Sequence, residues 1–218
     1  MNIQIFEYFE WAAFLTGVAF FKSIRKTPFV VLVVYLFIIV LVESGNHLGW
    51  FFDQAHKTNN WLYNILLLVE FPVMSFLLFS NKIYKKKVRI FWVLQLIYFS
   101  FYIINIIFIQ SLWLLNTNTI ILLSIIIICI AINLLYRIAA SDNTDIGSEY
   151  PYFFLSIGVL LFYVIEILLY AIFPYLAYSS VDVFLKFFIL ITNIGITILN
   201  LSIILLFISI WYNRKKLS

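Results

Sequence analysis

Five glutamates, Glu7, Glu10, Glu43, Glu70 and Glu166, interrupt apolar runs of this chain that otherwise carry almost no charge. An ionisable side chain is costly to place in hydrocarbon, so such groups face a bundle interior or a wet cavity and mark sites for protons, cations or polar ligands. Glu70 and Glu166 lie too deep in their runs to reach water by snorkelling, whereas Glu7, Glu10 and Lys186 stand within a few residues of a run's end and can extend outward. The candidate ligand- or ion-binding set is Glu70, Glu166, Lys186, Asn193, Asn64, Glu43 and Tyr163. The competing assignment is interhelical hydrogen bonds and one ion pair that only fix packing, each contributing about 0.6–2 kcal/mol.

Spacing groups these residues into helical stripes. Asp182, Lys186, Asn193, Thr197 and Asn200 share one face of the last run. Ser156, Tyr163, Glu166 and Tyr170 share another in the run before it, and Gln95, Tyr98, Tyr102 and Asn105 a third. Two residues after Glu70 comes Pro72, whose missing amide frees the carbonyl of Leu68 and predicts a kink.

Enzymatic chemistry finds little support. The two histidines, His47 and His56, stand near or in one loop, no aspartate lies deep in a run, and no His-Glu-x-x-His motif is present. That disfavours an intramembrane serine, aspartyl or zinc hydrolase. Glu43, His47, Asp53 and His56 lack the pattern of a metal site. We therefore expect no catalytic residue, no metal and no cofactor.

The elements that position the carboxylates are membrane helices. Of 218 residues 65% are hydrophobic and 11% charged, with a mean hydropathy of +1.07. A span needs about 20 apolar residues, and unpaired backbone amides are not tolerated in lipid. Spans are expected near Ile3 to Phe21, Phe29 to Phe51, Trp61 to Ser80, Ile90 to Leu114, Thr119 to Tyr136, Tyr152 to Tyr175 and Val183 to Tyr212. The fold class is thus an all-α seven-transmembrane-helix bundle, one domain over residues 1–218. Of the 14 Lys and Arg, all but Lys57 and Lys186 fall on the side that holds the odd-numbered loops and the C-terminal tail. The positive-inside rule then gives an outside N-terminus and a cytoplasmic C-terminus. Trp50, Trp61 and Trp113 at outer ends, and Trp92 and Trp211 at inner ends, agree with it. No Lys or Arg precedes the first apolar run and three follow it, the reverse of a signal peptide, so this run is expected to persist in the mature protein. Cys129 is the single cysteine, which leaves no intrachain disulfide. Despite a pI near 9.1, the basic residues read as topology and headgroup contacts rather than a nucleic-acid surface.

The Asp182-x-x-x-Lys186 spacing resembles that of microbial rhodopsins, which implies a retinal lysine. Lys186 stands at the start of its run, however, and no tryptophan accompanies Tyr163, Glu166 and Tyr170, so retinal is not expected. Seven short spans also resemble the small vitamin-precursor uptake proteins with a three-plus-one-plus-three layout, although the tryptophan and asparagine motifs of that family are missing. The segments Glu43-Ser-Gly-Asn-His47 and Asn60-Trp-Leu-Tyr-Asn64 resemble those of small seven-helix bacterial inner-membrane proteins, a likeness that implies no activity. The expected function is a sensory or signalling component of a bacterial cytoplasmic membrane, with an outward-opening polar cavity and a cytoplasmic or membrane protein partner besides the bilayer. The alternatives are a small-solute, proton or cation transporter or channel using Glu70 and Glu166, and a structural or assembly subunit.

Overall fold

The structure, a computed structural model, describes residues 5–140, 146–177 and 181–217. These are helical, without strands among the described residues: α1 (Ile5–Ala19), α2 (Phe21–Ile24), α3 (Val30–His47), α4 (Asn60–Phe79), α5 (Val88–Ile104), α6 (Thr117–Ala139), α7 (Ile146–Ala177) and α8 (Val181–Leu217). A 3₁₀ segment over Lys82–Lys87 leads into α5, and a π-helical turn over Asn105–Ile109 extends it. Asp142 and Asp145, part of an acidic loop in the sequence, lie outside the described residues, as does the side chain of Asp182.

Six segments have the length and hydropathy to cross a bilayer: Val30–His47, Asn60–Phe79, Val88–Ile109, Thr117–Ala139, Glu149–Ala171 and Lys186–Lys216. The remaining expected span, the first, Ile3 to Phe21, is shorter among the described residues. α1 has 15 residues, a rise of about 22 Å against a hydrocarbon thickness of about 30 Å. The chain turns after Ala19 into the four residues of α2 and then Pro28.

Local sequence explains the other boundaries. α3 ends at His47, short of the expected Phe51. Gly49 there adopts φ +74, its amide bonds the Asn46 carbonyl and that of Trp50 the Gly45 carbonyl, each at 2.9 Å. This is a Schellman closure, which requires a left-handed residue after the cap. α4 runs through Pro72 without a break. Past the π turn, Gln110 becomes extended, so the fourth run stops before the expected Leu114.

The helices alternate in direction, and α1 and α8 run parallel. At one end the Phe6 amide donates to Asn193 Oδ1 at 3.2 Å; at the other Phe20 stacks on Trp211 at 5.3 Å and the Arg214 guanidinium donates to the Lys22 carbonyl. One end thereby collects the starts of α1, α4, α6 and α8, and the opposite, basic end collects Lys22, Arg25, Lys26, the Lys82–Arg89 cluster, Arg137 and Arg214–Lys216. α7 and α8 pack closely because Gly158 has no side chain: a Cβ there would collide with Ser202. Outward faces are apolar, with Leu96, Ile107 and Phe108 on α5 and its π extension strongly exposed, as lipid contact requires.

Candidate functional site

Within the bundle, at the end where α1 begins, lies a cavity of about 390 Å³. Each wall is one face of a helix. α3 supplies Tyr35, Ile39 and Glu43 at steps of four; α4 supplies Asn60, Tyr63, Leu66, Leu67 and Glu70 at steps of three and four; α7 supplies Phe162, Glu166 and Tyr170 at steps of four. α1 adds Phe6 and Glu10, and α8 adds a strip from Phe188 to Ile203. These periods are those of a single helical face. Between Asn60 and Glu70 the cavity descends about 15 Å, half the hydrocarbon thickness.

Four glutamates line this space, Glu10, Glu43, Glu70 and Glu166, and among the described residues no lysine, arginine or histidine joins them on its wall. Tyr163, fully buried, donates its hydroxyl to Glu70 Oε1 at 2.6 Å. Ser124 donates to Glu166 Oε2 at 3.4 Å. Tyr63 donates to Glu43 Oε2 at 3.2 Å and itself accepts from Asn46 Nδ2 at 2.8 Å. Glu10 is 5% exposed. Each carboxylate offers about four acceptor sites, so these neutral donors leave most of the acceptor capacity facing the cavity. On the same wall, Thr192 Oγ1 is buried without a hydrogen-bond partner among the described residues.

The carboxylates form two groups by depth. Glu10 lies within electrostatic range of Glu43 and Glu7, and Glu166 within that of Glu70 further in. Beyond them the bundle closes. Met74, Leu77, Ile127, Val159, Leu206 and Phe207, each at most 1% exposed, fill the core between the cavity and the basic end.

Of the residues singled out in the sequence, Glu43, Glu70 and Glu166 meet on this cavity, with Tyr163 bonded to Glu70. The other three do not join them on the wall. Lys186 is exposed, at the end of its run where a long cationic side chain reaches water. Asn193 holds the first turn of α1 through the Phe6 amide and bonds the Ile189 carbonyl of its own helix at 2.7 Å. Asn64, fully buried, donates to the carbonyls of Leu112 and Leu114 at 2.7 and 2.8 Å and accepts from the Asn116 amide at 3.0 Å. It pins the α5–α6 connection. Sequence reasoning left out Glu10, Tyr35, Tyr63 and Tyr170. For Glu10 the available signal was its three-residue step from Glu7, but nearness to the run's end argued for solvent.

The loop between α3 and α4 carries a separate arrangement. Asp53 accepts the backbone amides of Ala55 and His56 at 2.7 and 3.1 Å, and the His56 ring, 3.4 Å from Asp53 Oδ2, stacks on Trp113 at 3.8 Å. The amide donors, first that of His56, hold the Asp53 carboxyl below its ordinary value. Among the described residues no three His, Cys, Asp or Glu side chains converge on one point as metal ligands must.

Compared with protein-family models, with curated proteins and with solved structures, the chain gives no match.

Proposed function

We propose that the protein is a multi-pass membrane component that captures a small cationic solute from the outer side and signals its presence to a partner at the basic, cytoplasmic end. One observation carries this reading: four carboxylates line one cavity whose wall, among the described residues, holds no positive charge. Ionised and unpaired, they would repel one another in a medium of low dielectric; a cationic guest removes that repulsion. A volume near 390 Å³ lies in the range of small-molecule sites. The strong bias of Lys and Arg toward one end supports seven spans with the N-terminus outside, α1 entering as a short, partly inserted helix. In a bacterium this membrane would be the cytoplasmic one.

Sensing is favoured over conduction by the apolar layer from Met74 to Phe207 below the cavity. α7 and α8, which build much of the cavity wall, also run on to the basic end and pack tightly at Gly158 and Ser202. A guest that shifts one against the other can bias a two-state arrangement there. The second reading, transport through Glu70 and Glu166, draws support from the cavity wall reaching Asn200 and Ile203, and requires that the apolar layer part. Purified protein in liposomes separates the two. The expected result is saturable binding of a simple alkylammonium ion with no cation or proton flux, and weakened binding in E70Q and E166Q. Flux in wild type that disappears in both variants would establish transport instead, and absence of any cation binding by folded protein would overturn both readings.

A further inference from the structure

The two carboxylate groups are separated by depth, and the separation is readable along α4. Tyr63, bonded to Glu43, and Glu70 share the cavity face of this helix two turns apart, an axial distance of about 10 Å. Glu10 neighbours Glu43 at the outer level, and Glu166 neighbours Glu70 at the inner one. Between the levels the wall is largely hydrocarbon: Leu36, Ile39, Leu66 and Leu67 all line it. Tyr35, on the same wall, lies within electrostatic range of Glu10 as well as of Glu70 and Glu166, which ties both levels to one continuous space. A single metal ion fits this pattern poorly, because no three of the carboxylates converge as metal ligands among the described residues. A monocation satisfies one level and leaves the other pair unpaired.

We propose that the ligand is a straight-chain α,ω-diamine, one ammonium held by Glu10 and Glu43, the other by Glu70 and Glu166, and its methylene chain packed on the leucines and isoleucine between them. The inference rests on the cation-binding reading above and specifies its substrate class. Ammonium–carboxylate contacts of about 2.8 Å at each end, taken from the rise of two helical turns, leave a nitrogen-to-nitrogen span of roughly 5 Å where the contacts lie along the helix axis and up to roughly 10 Å where they lie across it. The middle of that range matches an extended linker of about four to six methylenes, while two are too short and ten too long.

The test uses the full chain in nanodiscs, titrated calorimetrically with diamines from diaminoethane to diaminodecane, and with butylamine and hexylamine as single-charge controls. Affinity is expected to peak for diaminobutane to diaminohexane, at least tenfold above the monoamine of equal length. The double variants E10Q/E43Q and E70Q/E166Q are each expected to bring the best diamine down to the affinity of the monoamine. The chain-length profile of the wild type needs no variant and so stands even where a double variant fails to fold. Equal affinity for diamine and monoamine, or affinity that rises steadily with chain length, overturns the diamine inference and leaves cation binding in place. Displacement of the diamine by calcium or magnesium at equal concentration overturns it in favour of one inorganic ion. Failure of every amine to bind removes the cation-binding reading along with it.

Discussion

Two regions of the bundle hold comparable numbers of polar side chains in an apolar setting and use them oppositely. Along the seam between α4, α5 and α6, almost every polar group meets a partner within the protein. Tyr98 and Tyr102 donate to the Leu67 and Asn64 carbonyls at 2.7 and 2.9 Å, Gln95 donates to Ser75 Oγ at 2.7 Å, and Asn105 donates to the Asn116 side chain and to Thr119. Most donors and acceptors there are paired, Gln95 Oε1 and Asn116 Nδ2 being buried exceptions among the described residues, and no formal charge is present among its described side chains. In the cavity between α1, α3, α4, α7 and α8, four carboxylates face three hydroxyl donors and no cation. A largely paired, uncharged seam rigidifies and specifies packing; a cluster of carboxylates with few donors leaves free energy to be recovered by a guest. The same residue types are therefore structural in one half of the bundle and point to ligand binding in the other.

The comparison is broken most directly at Asn64. The variant N64L removes two donors and one acceptor from buried backbone groups, with an expected loss of about 2–4 kcal/mol, measured by steric trapping or denaturant unfolding in micelles. A loss no greater than that of an average exposed substitution would show that the seam is not what holds the α5–α6 connection. Next in size, G158V forces a side chain against Ser202 and is expected to cost about 1–3 kcal/mol through overpacking. The same assay reports it, and pulse-dipolar distances between labels on α7 and α8 would show the two helices moving apart.

On the cavity side the effects should reverse. E70Q keeps the size of the side chain and its capacity to accept from Tyr163, so stability should change by less than about 1 kcal/mol while amine affinity falls at least tenfold, about 1.4 kcal/mol. If E70Q instead unfolds the protein as N64L does and leaves binding intact, the two regions are alike. Y98F sharpens the contrast from the seam: a loss of about 1 kcal/mol in stability, with amine binding unchanged. The smallest effect is expected in the loop between α3 and α4. Since Asp53 in the folded protein sits below its ordinary range, its contribution is fully present above the unfolded carboxyl value and declines as pH falls through the lower folded one. The variant D53N should flatten that acid-side slope of melting temperature slightly, and fluorescence of Trp113 should report the altered His56 stacking.

How far the chain could be read in advance varied with the kind of information. The stripes Gln95–Tyr98–Tyr102–Asn105 and Ser156–Tyr163–Glu166–Tyr170 were visible because helical periodicity is local, and the structure turns Gln95, Tyr98, Tyr102, Tyr163 and Glu166 inward. What each stripe meets was not visible. Asn64 and Asn193 looked like ligand groups by type and depth, and their partners are the backbone of a connecting loop and of α1, which no spacing rule within α4 or α8 can reveal. Glu10 looked like an interfacial residue from its position near the run's end, and it is buried because α1 is short and sits against α3 and α8.

The sequence by itself determined that this is an all-helical chain with at least six apolar membrane-length segments, that its basic residues gather at one end, and that its carboxylates are sparse and concentrated toward the other. Those properties follow from transfer free energies and from hydrogen bonding within single segments, both of which are local to a run of residues. Only the tertiary structure decided that Glu10, Glu43, Glu70 and Glu166 share one space, that Lys186 stands outside it and that the amides are spent on backbone. Such outcomes depend on which helix faces which, and that is set by close contacts such as Gly158 on Ser202 between residues far apart in the chain.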